Sequence, residues 1–154
     1  MAQSSKSEPS AIFHFLYNKD MSSKRRKIVI AGSATFYKEA KEYKRRFEKK
    51  GYRVLACTER ADAPRGWHEI SKDFYGGLSK ANDIFVLNLD KKGIKGYIGH
   101  EVFAEMSSMV VRKSNGEDVN VFLHQWPDES CGCYDEIMEM AKRNWVKLLE
   151  SPQE

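Results

Sequence analysis

At 154 residues, with 41% hydrophobic and 31% charged side chains, the chain has the size and balance of one globular domain that needs neither disulfides nor metal to fold. Its 26 basic and 22 acidic residues leave a net charge of +4, too small an excess to imply a nucleic-acid partner, and no apolar run approaches the roughly 20 residues that cross a bilayer. An odd cysteine count, Cys57, Cys131 and Cys133, suits a reducing compartment better than a disulfide framework, and with an N-terminus lacking a secretory pattern it places the protein in the cytoplasm.

Residues 1–26 read as an N-terminal extension, Ser-rich and basic around one apolar run, "AIFHFLY" (Ala11–Tyr17). That run is open between an added edge strand and a short docking segment. From Lys27 to residue 150, short apolar runs alternate with amphipathic helices, the pattern of a parallel sheet covered on both faces. "KIVIA" is a first strand. Gly32-Ser33 turns into a helix over 35–50, where Phe36, Ala40, Tyr43 and Phe47 form one apolar stripe and which Gly51 ends. "YRVLAC" is a second strand, followed by the polar loop "TERADAPRGW" and a helix over 68–80 weakened by Gly76 and Gly77. "DIFVLNLD" is a third strand, nearly all apolar up to Asn88. A Gly-rich loop leads into a helix over 99–113 with Val102, Phe103, Met106, Met109 and Val110 as its buried stripe. "VNVFLH" is a fourth strand and "YDEIMEMAKRNWVKLLE" a closing helix. The fold class is therefore α/β: a three-layer doubly wound parallel sheet of four strands, or five if the N-terminal run adds one.

In such sheets ligands bind beyond the carboxyl ends of the strands. "AGSATFY", "NLDKKGIKGYIG" and "HQWPDESCGC" all fall there. Gly32 and Ser33 suit an anionic or hydroxyl-rich ligand at a helix start, and equally a tight turn. No cofactor is called for, because the triphosphate-loop Lys-Ser/Thr and the three-glycine dinucleotide pattern are both missing. The "CGC" pair has no paired histidines to complete a zinc site. Gly93, Gly96 and Gly99 let backbone approach a ligand, and Tyr97 can lie against a flat ring. The next helix then brings Glu101 and Glu105 to one side with Ser108 and Arg112. Periodicity alone leaves that pair open between a solvated helix face and a carboxylate whose pKa burial has raised.

"KIVIAGS", "ANDIFVLN" and above all "KGIKGYIGHEVFAEM" resemble the nucleoside 2-deoxyribosyltransferase-like superfamily, which includes the 2'-deoxynucleoside 5'-phosphate N-hydrolases. The resemblance spans about residues 27–123. It implies a flavodoxin-like or Rossmann-like fold, a homodimer or higher homo-oligomer, and hydrolysis or transfer at the N-glycosidic bond of a nucleoside or nucleotide. It makes Glu105 the carboxylate that attacks the anomeric carbon, lets Gly32, Ser33, Asn88, Gly96, Tyr97 and Gly99 line the substrate pocket, and makes Asp73 the nearest match to a second carboxylate. Glu101 stands in for Glu105 if the register shifts by one turn, Asp90 is a reserve carboxylate, His100 a surface residue and Asp83 a structural one. Ser107 and Met109 depart from the superfamily's Gly and Ala after the glutamate. That departure favours the rival from another class, a non-catalytic sensor for a nucleotide-derived ligand. A nucleic-acid adaptor, supported only by "SKRRK" and "YKRRFEKK", ranks last.

Overall fold

The computed structural model describes residues 25–149. In chain order the elements are β1 (Lys27–Ala31), a 3-10 turn (Ala34–Phe36), α1 (Tyr37–Lys49), β2 (Arg53–Cys57), α2 (Gly66–Lys80), β3 (Asp83–Val86), α3 (His100–Ser114), β4 (Asn120–Leu123), α4 (Tyr134–Lys142) and β5 (Lys147–Leu148). All five strands are parallel, in the order β2-β1-β3-β4-β5. That is the flavodoxin-like doubly wound order, with its switch point between β1 and β3. Among the described residues no helix is long and apolar enough to cross a membrane.

The strands are apolar on both faces because both are covered at the sheet centre: Ile28, Val29 and Ile30 of β1 and Ile84, Phe85 and Val86 of β3 are fully buried. Odd and even positions feed two cores. Val29, Ile84, Val86, Val121 and Leu123 pack with Phe74 and Leu78 of α2, Val102, Met106 and Met109 of α3, and Ile137 of α4. Ile28, Ile30, Phe85 and Leu87 pack on the other side with Phe36, Ala40 and Phe47, the apolar stripe expected for α1.

Two expectations change. The helix over 68–80 is unbroken from Gly66, because Gly77 is a packing position: a β-carbon there would sit 3.2 Å from Ala56 Cβ and 3.3 Å from Val29 Cγ2, so the missing side chain lets α2 settle on β1 and β2. The closing helix is cut short, and the fifth strand comes from its second half. Asn144 adopts φ 59; its N–H donates to Ala141 O and that of Trp145 to Met140 O. This is a Schellman stop with Asn in the left-handed position. The chain then pairs Phe122 with Lys147 and Leu123 with Leu148. The run Ala11–Tyr17, the other candidate for a fifth strand, lies outside the described residues.

One ion pair fixes the amino edge. Arg26, just before β1, donates through Nη2 and Nε to the Asp83 carboxylate at 2.7 and 2.9 Å, and Asn120 Nδ2 donates to the same group at 2.9 Å. Asp83 thus joins the starts of β1, β3 and β4.

Candidate functional site

A cavity of about 350 Å³ opens at the carboxyl ends of β1, β2 and β3, beside the switch point. Gly32–Ala34 form one side of it, Thr58–Ala61 another, Lys91 and Tyr97 a third, and the first turns of α3 the floor. Trp67, Ile70, Ser71 and Phe74 of α2 close the remaining wall.

The β1 exit is tight because Gly32 runs against β3: a β-carbon on it would meet Leu87 O at 3.0 Å. Thr58 Oγ1 donates to Ile30 O and Gly32 O at 3.4 Å, joining the ends of β1 and β2. Ser33 Oγ accepts from Thr35 N at 3.4 Å and, at 2.6 Å, from the Lys91 ammonium. That ammonium also lies 5.3 Å from the Tyr97 ring centre. A cation, a hydroxyl and an aromatic ring therefore meet on one wall.

The glycine loop is held from behind. Asn88 is 1% exposed; its Nδ2 donates to Gln125 O at 2.7 Å and Gly96 O at 3.3 Å, while its Oδ1 accepts from His124 N and Gln125 N. Lys92 and Gly93 both have positive φ, and Lys91 and Ile94 exchange backbone hydrogen bonds at 3.0 and 2.9 Å, the two-residue turn that requires such angles. Gly96, at φ 66, passes so close to the β4 loop that a β-carbon would fall 2.8 Å from Pro127 Cα and Trp126 O. Asp90 Oδ1 accepts from Gly96 N and Gln125 Nε2, bonds that hold its carboxyl below the usual range, with the Gly96 N–H the main cause.

Glu105 sits on the buried side of α3, 9% exposed, at the cavity wall. Among the described residues its carboxylate makes no ion pair or side-chain hydrogen bond; burial, then the charge of Glu101, push its pKa up to about 8. Glu101 is one turn nearer the mouth and exposed, beside exposed His100.

The structure thus gathers Gly32, Ser33, Tyr97, Gly99, Glu101 and Glu105 around one space. Asn88 and Gly96 do not line it; they hold the loop that does. Asp73 lies on the outer face of α2, exposed and paired with Arg65, away from the cavity wall. The grouping of Ser108 and Arg112 with the two glutamates separates: Ser108 Oγ donates to Glu105 O at 2.6 Å within its own helix, and Arg112 Nη1 donates to Leu78 O and Ala81 O, capping α2. The residues that sequence reasoning missed come from the β2 exit and α2: Thr58, Arg60, Trp67, Ser71 and Phe74, together with Lys91. For Thr58, Arg60 and Trp67 the signal was available, since "TERADAPRGW" follows a parallel strand and must emerge on the same rim.

Fold and site together define a flavodoxin-like α/β domain with a buried carboxylate in a switch-point cavity. No protein-family model, curated protein or solved structure matches the chain.

Proposed function

We propose that the protein binds a nucleoside or nucleotide in this cavity and hydrolyses or transfers its N-glycosidic bond, with Glu105 as the nucleophile. The observation that carries the reading is Glu105 itself: a carboxylate with little access to water, facing the cavity and engaged by no other side chain among the described residues. A structural carboxylate so buried is normally paired. The walls suit such a ligand. Trp67, Ile70 and Phe74 offer an apolar side for a base, and Lys91 with Ser33 offers a cation and a hydroxyl for a 5'-phosphate. In the reaction the Glu105 carboxylate forms a bond to the anomeric carbon as the bond to the base nitrogen breaks, the base taking the electron pair and a proton from solvent water. Water or a second base then releases the sugar.

Only ionised Glu105 attacks. With its pKa near 8 about a tenth of the free protein is in that form at pH 7, so kcat/KM rises with pH and levels off above about 8. The test is release of free base from a panel of nucleosides and nucleoside 5'-monophosphates at pH 8, followed by chromatography. Wild type releases base; Glu105→Gln binds the same compounds and loses release by about 10³-fold or more. Lys91→Met raises KM for the monophosphate about 10- to 100-fold while leaving the nucleoside's KM within a few-fold. Base release by Glu105→Gln at the wild-type rate would exclude the nucleophile assignment.

A second reading, a non-catalytic sensor, draws on the same carboxyl group. Protonated at neutral pH and with no side-chain donor to hold its charge among the described residues, it can serve as a hydrogen-bond donor to a ligand. Binding without release by wild type at any pH from 6 to 9 selects that reading.

A further inference from the structure

The sheet is dressed unequally. A helix with its side chains is about 10 Å across and strands lie about 4.8 Å apart, so one helix covers about two strands and five strands need two helices on each face. One face carries α2, α3 and α4. The other carries only α1 and the short 3-10 turn, with α1 packed over β2 and β1; among the described residues no helix lies over β4 and β5 there. Phe85 of β3 and Phe122 of β4 are register partners pointing to that face, yet Phe85 is 0% exposed and Phe122 only part-buried, with the Lys147 ammonium 5.1 Å from its ring centre. Leu149, on the same face, is part-buried too. The alternate residues of β4, Val121 and Leu123, are fully enclosed on the other side.

We infer that the apolar run Ala11–Tyr17 of this chain docks on the open face of β4 and β5, over Phe122 and Leu149. The run supplies what is missing there, with Ile12, Phe13, Phe15 and Leu16 within five residues; residues 150–154 hold no aliphatic or aromatic side chain beyond the Pro152 ring. Its tether is placed correctly. Arg26 shares the sheet face of Ile28 and Ile30, and its guanidinium is held by Asp83 at the start of β3 and Asp118 just before β4, so the tether is anchored at the amino edge of β1, two strands from β4. From Tyr17 to Arg26 the chain can span up to about 30 Å, against roughly 10–15 Å across to β4 and β5.

The test uses the full chain. In a methyl-labelled sample, nuclear Overhauser contacts join the Ile12 and Leu16 methyls to the Phe122 ring and Leu149. Leu16→Asp lowers the thermal midpoint by about 5 °C or more, and lowers it by much less in a Phe122→Ala background, because the two changes remove one contact. Equal losses in both backgrounds, or a wild-type spectrum without those contacts, overturn the proposal. Contacts seen only between differently labelled molecules in a mixed sample overturn it as well, and assign the face to a second copy of the chain.

Discussion

Glu105 and Asp83 are both enclosed carboxyl groups, and their surroundings give them opposite consequences. Asp83 is met by Arg26 and Asn120 and supports the amino edge of the sheet; Asp83→Ala leaves the arginine facing an emptied, partly buried site and costs about 3 kcal/mol of stability in urea unfolding. Glu105 has no such partner among the described residues, and the fold bears its charge as a cost. Its folded pKa of about 8 lies above that of an unfolded glutamate, so the native state holds the proton longer. Stability therefore falls as pH rises from about 4.5 to 8, and levels off above that. The loss by pH 7 is about 3 kcal/mol. Glu105→Gln removes this slope, so the variant matches wild type near pH 4.5 and exceeds it at pH 8 in thermal melts. Parallel pH profiles for wild type and Glu105→Gln across that range would place the carboxylate in water. Burial also pushes the Cys57 thiol up to about 11 and that of Cys133 up to about 12, so both react slowly with a thiol reagent at pH 7 until the protein unfolds.

At the scale of elements, the loop from Asn88 to Gly99 is positioned by groups that never reach the ligand space. Asn88 and Asp90 join it to the β4 exit, and Gly96 lets it pass the backbone of Trp126 and Pro127. Gly96→Ala combines a left-handed φ with a contact that backbone cannot relieve. It costs about 2–3 kcal/mol and, by displacing Tyr97 and Lys91, weakens ligand binding at least as much as it lowers stability. The apolar stripes of α1 and α3 and the buried runs of β1 and β3 were legible in the sequence, because periodicity reports directly which side of an element is covered. The end of α4 was not. "MAKRNWVKLLE" keeps a helical spacing of apolar residues through Leu149, and only the left-handed Asn144 stops it, a backbone choice that composition does not announce. The side chosen by Arg112 was equally hidden: helix spacing sets it near Ser108, but its length lets it reach across to the end of α2.

For the whole molecule, parallel order brings the exits of β1, β2 and β3 to one rim, and the site is assembled from residues up to about 70 positions apart, from Gly32 to Glu105. The half of the site carried by "AGS" and "GYIGHEVFAE" could be read from the chain. The part carried by Ser71 and Phe74 could not, since on α2 they read as core and surface positions and become a wall only when α2 lies beside α3. In the proposed reaction a covalent bond forms between Glu105 and the sugar. Intact-mass spectrometry of wild-type protein, acid-quenched within the first turnovers on a nucleoside 5'-monophosphate that releases its base, tests it most directly. A mass gain equal to the sugar phosphate less one water is expected, located to a peptide containing Glu105 and missing from Glu105→Gln. Base release with unmodified protein at every time, undiminished in Glu105→Gln, would contradict it.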